Sequence, residues 1–95
     1  MATKEITKFD IAEYLSDDAM IIAYLNTVLE EGDTEDIVTA LGHVARATGM
    51  SKIAKATGMS RASLYKALSH GSKPRFETIL KVLRAVGGNL SLQTA

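Results

Sequence analysis

The segment Ala47-Thr48-Gly49-Met50-Ser51 recurs letter for letter nine residues later as Ala56-Thr57-Gly58-Met59-Ser60. Solenoid and propeller repeats run to about 20 residues or more, so this period belongs to a different kind of structure. Each copy reads as the end of a helix. Glycine takes a tight or left-handed turn, methionine packs inward, and serine caps the helix that follows. Two such turns in succession isolate a short helix at about Lys52–Thr57. A helix of that length does not persist alone in water, so other elements must pack around it.

Helical punctuation supplies those elements. Asp10 with Glu13 three residues on forms a capping-box pattern for a short turn containing Ile11, Ala12, Tyr14 and Leu15. Ser16 followed by Asp17 and Asp18 is a second start, with its stripe at Ile21, Tyr24, Leu25, Val28 and Leu29 and its stop at Gly32. Asp33 or Thr34 caps the next helix, whose buried face is predicted to be Ile37, Val38, Leu41, Val44 and Ala45, closing at Gly49. A further helix runs from Arg61 to about Ser69 and ends at Gly71. Pro74, the one proline, fits the opening of a last helix with Phe76, Ile79, Leu80, Leu83 and Val86 as its stripe and Gly87-Gly88 as its end. Asn89–Gln93 alternates polar and apolar residues, a strand pattern without a partner in a helical chain. It is either a tail or, by a slight margin, a strand that pairs with a second copy through Leu90 and Leu92. The 95 residues thus read as one all-α domain of five to six short helices, with a short N-terminal tail over 1–8 and a C-terminal strand or tail over 89–95.

Several function classes drop out. No apolar run approaches the ~20 residues of a membrane span, and the N-terminus lacks a signal-peptide core. Cysteine is absent, which removes disulfides, thiolate zinc sites and cysteine nucleophiles together and makes the cytoplasm the expected location. His43 and His70 have no ligand-spaced partners, so neither metal nor cofactor is expected. The acids at Asp17/Asp18 and Glu30/Glu31/Asp33 read as helix-end solvation rather than catalytic pairs. Ser63-Leu64-Tyr65-Lys66 spells the S-x-x-K of β-lactamase-type enzymes, but the chain is too short for that fold and carries no companion motif. No enzyme is expected.

A net charge of zero conceals a strong asymmetry. Residues 1–50 carry three bases against ten acids, a net −7. Residues 51–95 carry eight bases against Glu77 alone, a net +7. A basic half suits a polyanion such as nucleic acid; alternatively the two halves neutralise each other in the fold.

The segment from about 51 to 69 has the arithmetic of a helix-turn-helix. Ala54 is small enough for two helices to cross closely, Gly58 permits the turn four residues on, and Ile53, Met59 and Leu64 are the apolar plugs. Rotation by ~100° per residue places Leu64, Ala67 and Leu68 inward and Ala62, Tyr65, Lys66 and Ser69 outward, with Arg61 and Ser63 on the flanks. That outward set suits a DNA major groove: Arg or Lys bonds guanine, Ser serves any base, and Ala avoids steric conflict or meets a thymine methyl. Ser51 and Lys52 open one helix and Ser60 and Arg61 the next, where free N–H groups face anions. Lys73 and Arg75 bracket Pro74 and could clamp the backbone on the far side. Lys81 and Arg84 read as plain polar surface.

The stretches FDIAEYL, AYLNTVLEEGD, ALGHVARATGMSKIAKATGMSRASLYKALS and FETILKVLRAVG resemble the HigA/GraA-like family of addiction-module antidotes, which carry an Xre/lambda-repressor-type helix-turn-helix. The likeness spans about Phe9–Leu92; Ser72-Lys73-Pro74 departs from it, since related sequences often carry Gly and Asn before the proline. The resemblance implies a dimer that represses its own operon from a palindromic operator. It also implies neutralisation of a small RelE/HigB-like ribonuclease toxin. Such toxins are usually basic, which would place the toxin surface near Asp17–Asp36. Two alternatives stand beside it: a stand-alone or phage-type repressor without a toxin, and a protein-interaction module that does not touch DNA.

Overall fold

The computed structural model describes residues 18–92 and 94, and over them the chain is all-helical. Five helices follow one another: α1 (Asp18–Glu31), α2 (Thr34–Thr48), α3 (Met50–Thr57), α4 (Arg61–Ala67) and α5 (Phe76–Ala85). The tail over 1–8, the capping box at Asp10 and the start at Ser16 lie outside the described residues.

Asp33, rather than Thr34, caps α2. Its carboxylate accepts the Asp36 N–H at 2.9 Å, while its own N–H donates to the Asp36 carboxylate at 3.0 Å. Glu35 and Asp36 in that first turn also face the positive end of the helix dipole. The core gathers Val38, Leu41 and Val44 from α2, Ile53 from α3, Leu64 from α4 and Val82 from α5, all under 2% exposed, and α1 adds Ile21 and Leu25. The short helix is the hub of this arrangement, with α3 packing against α2, α4 and α5.

The two copies of the repeat form different turns. Gly49 is the single residue between α2 and α3, at φ 119° and ψ 113°. Its N–H donates to the Ala45 carbonyl at 2.8 Å and its own carbonyl accepts from Ile53 at 3.0 Å, so both helices run up to it. Consequently α3 begins at Met50, two residues before the expected start, and Met50 is buried while Ser51 lies exposed in the first turn without capping it. Gly58 instead adopts the left-handed conformation, φ 75° and ψ 15°. The Met59 N–H reaches back to the Ala54 carbonyl at 3.0 Å and the Gly58 N–H to that of Lys55, the pairing of a Schellman motif. Thr57, buried in this second copy, donates its hydroxyl to the carbonyls of Ile53 and Ala54. Here Ser60 does cap the next helix, accepting the Ser63 N–H at 3.0 Å.

Three C-terminal expectations change. Pro74 lies outside α5, whose N-cap is Arg75. The buried residues here are Val82, Leu83 and Val86; Ile79 and Leu80 are both half-buried, Val82 is added to the expected stripe, and Phe76 is 66% exposed. The stripe is right in spacing and rotated slightly, because α5 presses on α3 and α2 through its middle and leaves its first residue beyond the core's edge. Gly88 closes the helix by donating to the Leu83 carbonyl at 2.9 Å. Beyond it, Asn89–Leu92 form no strand, and among the described residues no strand lies alongside to complete a ladder. Gln93 lies outside the described residues.

The glycine turns yield a paired test. A Cβ at Gly49 meets only ordinary contact with Lys52, and one at Gly58 meets nothing within 4 Å, so backbone conformation alone sets each cost. Gly58→Ala enters a left-handed region that L-residues occupy at ~1–2 kcal/mol. Gly49→Ala enters a region that is close to glycine-only and is expected to cost about 3 kcal/mol. Urea denaturation of the two variants should rank Gly49→Ala as the less stable; equal losses would mean that the turns are equivalent after all.

Candidate nucleic-acid interface

Leu64, fully buried, and Leu68, 4% exposed, root α4 in the core, and Ala67 is half-buried beside them. On the opposite side Arg61, Ala62, Ser63, Tyr65, Lys66 and Ser69 all face solvent, as the rotation predicts. α4 ends at Ala67, so Ser69 stands just past the helix rather than in its last turn. Arg61 lies over the Tyr65 ring, with 5.9 Å from its guanidinium carbon to the ring centroid. An arginine one turn before a tyrosine on the same face gains cation–π attraction, which lays the guanidinium along the helix surface. This accounts for an aromatic ring that is 43% exposed.

The hydroxyls around α4 divide by role. Ser60 accepts the Ser63 N–H and donates its proton to the Ser63 hydroxyl oxygen at 2.9 Å, so the proton of Ser63 is the one left to point outward. Ser69 donates to the Lys66 carbonyl at 2.8 Å and Ser72 to the Ala67 carbonyl at 2.6 Å. Both close the C-terminal end of α4: Ser69 adds its hydroxyl to a Lys66 carbonyl that also accepts the Ser69 N–H, and Ser72 reaches back five residues to the carbonyl of the last helical residue. Ser72 is thus a positioning residue for α4. Sequence reasoning missed it, although a serine five residues past the last helical apolar residue was an available signal.

Cations flank this face. Ser51 and Lys52 are exposed in the first turn of α3, and Lys73 and Arg75 are exposed on either side of half-buried Pro74. Between α4 and the 72–74 loop lies a shallow cleft of about 310 Å³ lined by Ser63, Lys66, Ala67, Ser72, Lys73 and Pro74. Two ammonium groups and no carboxylate border it. Among the described residues the ion pairs are His70 Nε2 to Glu35 Oε2 at 3.3 Å and Lys81 Nζ to Glu77 Oε2 at 3.7 Å. Neither engages a cation of the α4 face, so no carboxylate among the described residues pairs with those cations. The His70–Glu35 pair joins the first turn of α2 to the loop after α4, but both side chains are well exposed and such pairs contribute little.

The acidic half forms its own surface. α1 and α2 frame a cleft of about 390 Å³ lined by Tyr24, Thr27, Val28, Glu31, Gly32, Asp36 and Thr39. Burial pushes the Tyr24 phenol above its ordinary pKa, so it stays a neutral donor through the physiological range. Asp17, at the edge of the region expected to meet a partner, lies outside the described residues. Among the described residues no group of three potential metal ligands comes together.

The chain is similar to an uncharacterized protein of Haemophilus influenzae, 46% identical over 91 residues that cover 96% of this chain and 92% of the relative. No solved structure matches it significantly. A family described as probable addiction module antidote protein matches residues 5–94. A match of that extent settles membership: the chain belongs to the addiction module antidote family.

Proposed function

We propose that this antidote is a DNA-binding antitoxin of a type II module, which represses its own operon as a two-fold dimer and neutralises a small RelE/HigB-like ribonuclease toxin. The observation that carries the reading is the outer face of α4: open, bearing Arg61 and Lys66, and free of any described carboxylate partner.

In this reading α4 enters the major groove. Arg61, held along the helix by Tyr65, addresses guanine O6 and N7, and Lys66 extends the positive edge. Ala62 lets the helix approach closely, and Ser63 offers its outward proton to a base or phosphate acceptor. Ser51 and Lys52 at the start of α3, Ser60 before α4, Ser69 after it, and Lys73 with Arg75 in the loop beyond hold the phosphate backbone on both sides. To donate to a phosphate oxygen, Ser60 and Ser69 turn their hydroxyl protons away from the Ser63 oxygen and the Lys66 carbonyl. A two-fold dimer, joined through Leu90 and Leu92, sets its reading helices about one DNA turn apart, ~34 Å, which calls for a near-palindromic operator. The toxin, being basic, docks on the acidic α1–α2 surface, where Glu31 and Asp36 flank apolar Val28 and the neutral donor Tyr24.

Arg61→Ala is expected to weaken operator binding by ~1–3 kcal/mol while leaving non-operator DNA nearly unaffected, as read by gel shift on both duplexes. Parallel losses on the two would make Arg61 a phosphate contact. Lys52→Ala should reduce the slope of log affinity against log salt by about one phosphate's worth, ~0.9. An unchanged slope removes Lys52 from the footprint. Purification from cells carrying the native gene pair should return a stoichiometric second band of small basic protein; its absence leaves a repressor without a toxin.

A further inference from the structure

Glycine in the interior of a helix weakens it relative to alanine, and Gly42 stands in the middle of α2 with neither a turn nor a positive φ to require it. The reason lies in another helix. Gly42 is buried, and a Cβ there would lie 3.2 Å from the Leu68 carbonyl oxygen and 3.4 Å from both terminal guanidinium nitrogens of Arg46. Leu68 is the C-cap of α4. The absent side chain is thus the gap through which the end of α4 comes down onto the backbone of α2.

The two neighbours of that gap differ in how freely they yield. Arg46 is exposed, and its guanidinium, which donates to His43 Nδ1 at 3.4 Å, is the far end of a long side chain that can swing aside. The Leu68 carbonyl is backbone. Its side chain is buried, one turn beyond fully buried Leu64, so the oxygen retreats only if the end of α4 moves with it. α4 is held at its start by its own Ser60 cap and at its middle by Leu64. Those two points fix where the helix begins and which face turns inward, and a third is needed to fix its tilt.

We infer that Gly42 is a positioning residue for α4: by carrying no side chain it lets the Leu68 carbonyl close on α2, and this contact sets the tilt at which Arg61, Tyr65 and Lys66 are presented. The inference rests on the DNA-binding reading above and adds to it a residue from a helix that touches no DNA in that reading. The seven residues of α4 span about 10 Å, so a shift of ~0.3 Å at one end with the other held tilts the axis by about 2°. A flexible lysine on a phosphate absorbs that change. A bidentate pair on a base edge, which needs placement to within about 0.5 Å, loses part of its alignment.

Gel shifts of Gly42→Ala on two duplexes, one from the promoter of the chain's own gene and one scrambled, test the assignment. The promoter Kd should rise about fivefold, while that for scrambled DNA changes by less than about twofold. A residue that served α2 alone would show no such loss, because alanine is the better helix former. In the free protein, amide shifts outside the substituted turn should change across residues 64–72 and not across 50–57. Arg46→Ala, which clears the gap from its other side and leaves Leu68 in place, should keep the ratio of the two constants. Circular dichroism should show wild-type helicity for both variants. Unchanged promoter affinity overturns the inference, as do parallel losses on the two duplexes, shift changes centred on α3, or a Gly42→Ala chain that has lost its helices. A promoter loss reproduced by Arg46→Ala also overturns it, since the glycine then acts through the arginine. A wild type that binds both duplexes alike strikes the DNA reading instead, and the amide shifts then decide by themselves whether Gly42 places α4.

Discussion

Ile53 and its eight-residue helix are the point on which the rest of the molecule turns. α3 is too short to hold its own backbone order, and its stability comes from packing against α2, α4 and α5 at once. Burying the Ile53 side chain contributes on the order of 1.5–3 kcal/mol, more than the helix could draw from propensity over so few residues. The dependence runs both ways. Ala54, buried at 5% exposure, lets the neighbouring helices close on α3, and Leu64 and Val82 are in turn fully sealed. An α4 held by one fully buried leucine and one cap leucine has a defined orientation only because that hub is rigid.

A five-letter sequence that appears twice shows how little of a turn is decided locally. In the first copy α2 and α3 meet at one residue, and Met50 drops into the core from the opening turn of α3. In the second, three residues intervene, Met59 is only half-buried, and Thr57 rather than its counterpart Thr48 is the buried hydroxyl. Glycine at the pivot was legible in both cases, because helix stripes on either side ran out there. Which glycine conformation, and whether serine would cap, depended on how far the next apolar residue had to travel to reach a core built by the other helices. The cap at Ser60 could be read from the letters; the missing cap at Ser51 could not.

The reading face was legible for a similar reason. A helix with Leu64 and Leu68 four residues apart fixes its own rotation, so every outward residue from Arg61 to Lys66 follows from the inward pair. The hydrogen-bond economy around it was not legible, since Ser60, Ser63, Ser69 and Ser72 look alike in sequence. The fold gives three of their hydroxyl protons to internal acceptors and leaves that of Ser63 for the outside. Charge asymmetry likewise pointed to two surfaces without locating them. The basic one gathers around α4 and the 72–74 loop, and the acidic one lies in the α1–α2 cleft.

Phe76 carries the last step. A phenylalanine spaced like Ile79 and Leu83 should be core by pattern alone, and the pattern is right about its chemistry while the single chain gives it no place to go. α5 is anchored by Val82 and Leu83, so rotating the helix to bury Phe76 would pull those two out, at a cost of several kcal/mol for one gain of similar size. The helix therefore settles on its middle and leaves the ring at the rim of an uncharged groove between α1, α2 and α5. Sequence periodicity reports that a residue seeks an apolar neighbour, without saying whether the fold has room for it. A strongly periodic residue found in water beside a recess of matching character thus marks where the packing of the other helices, and not the residue's own spacing, decided what the core could take in.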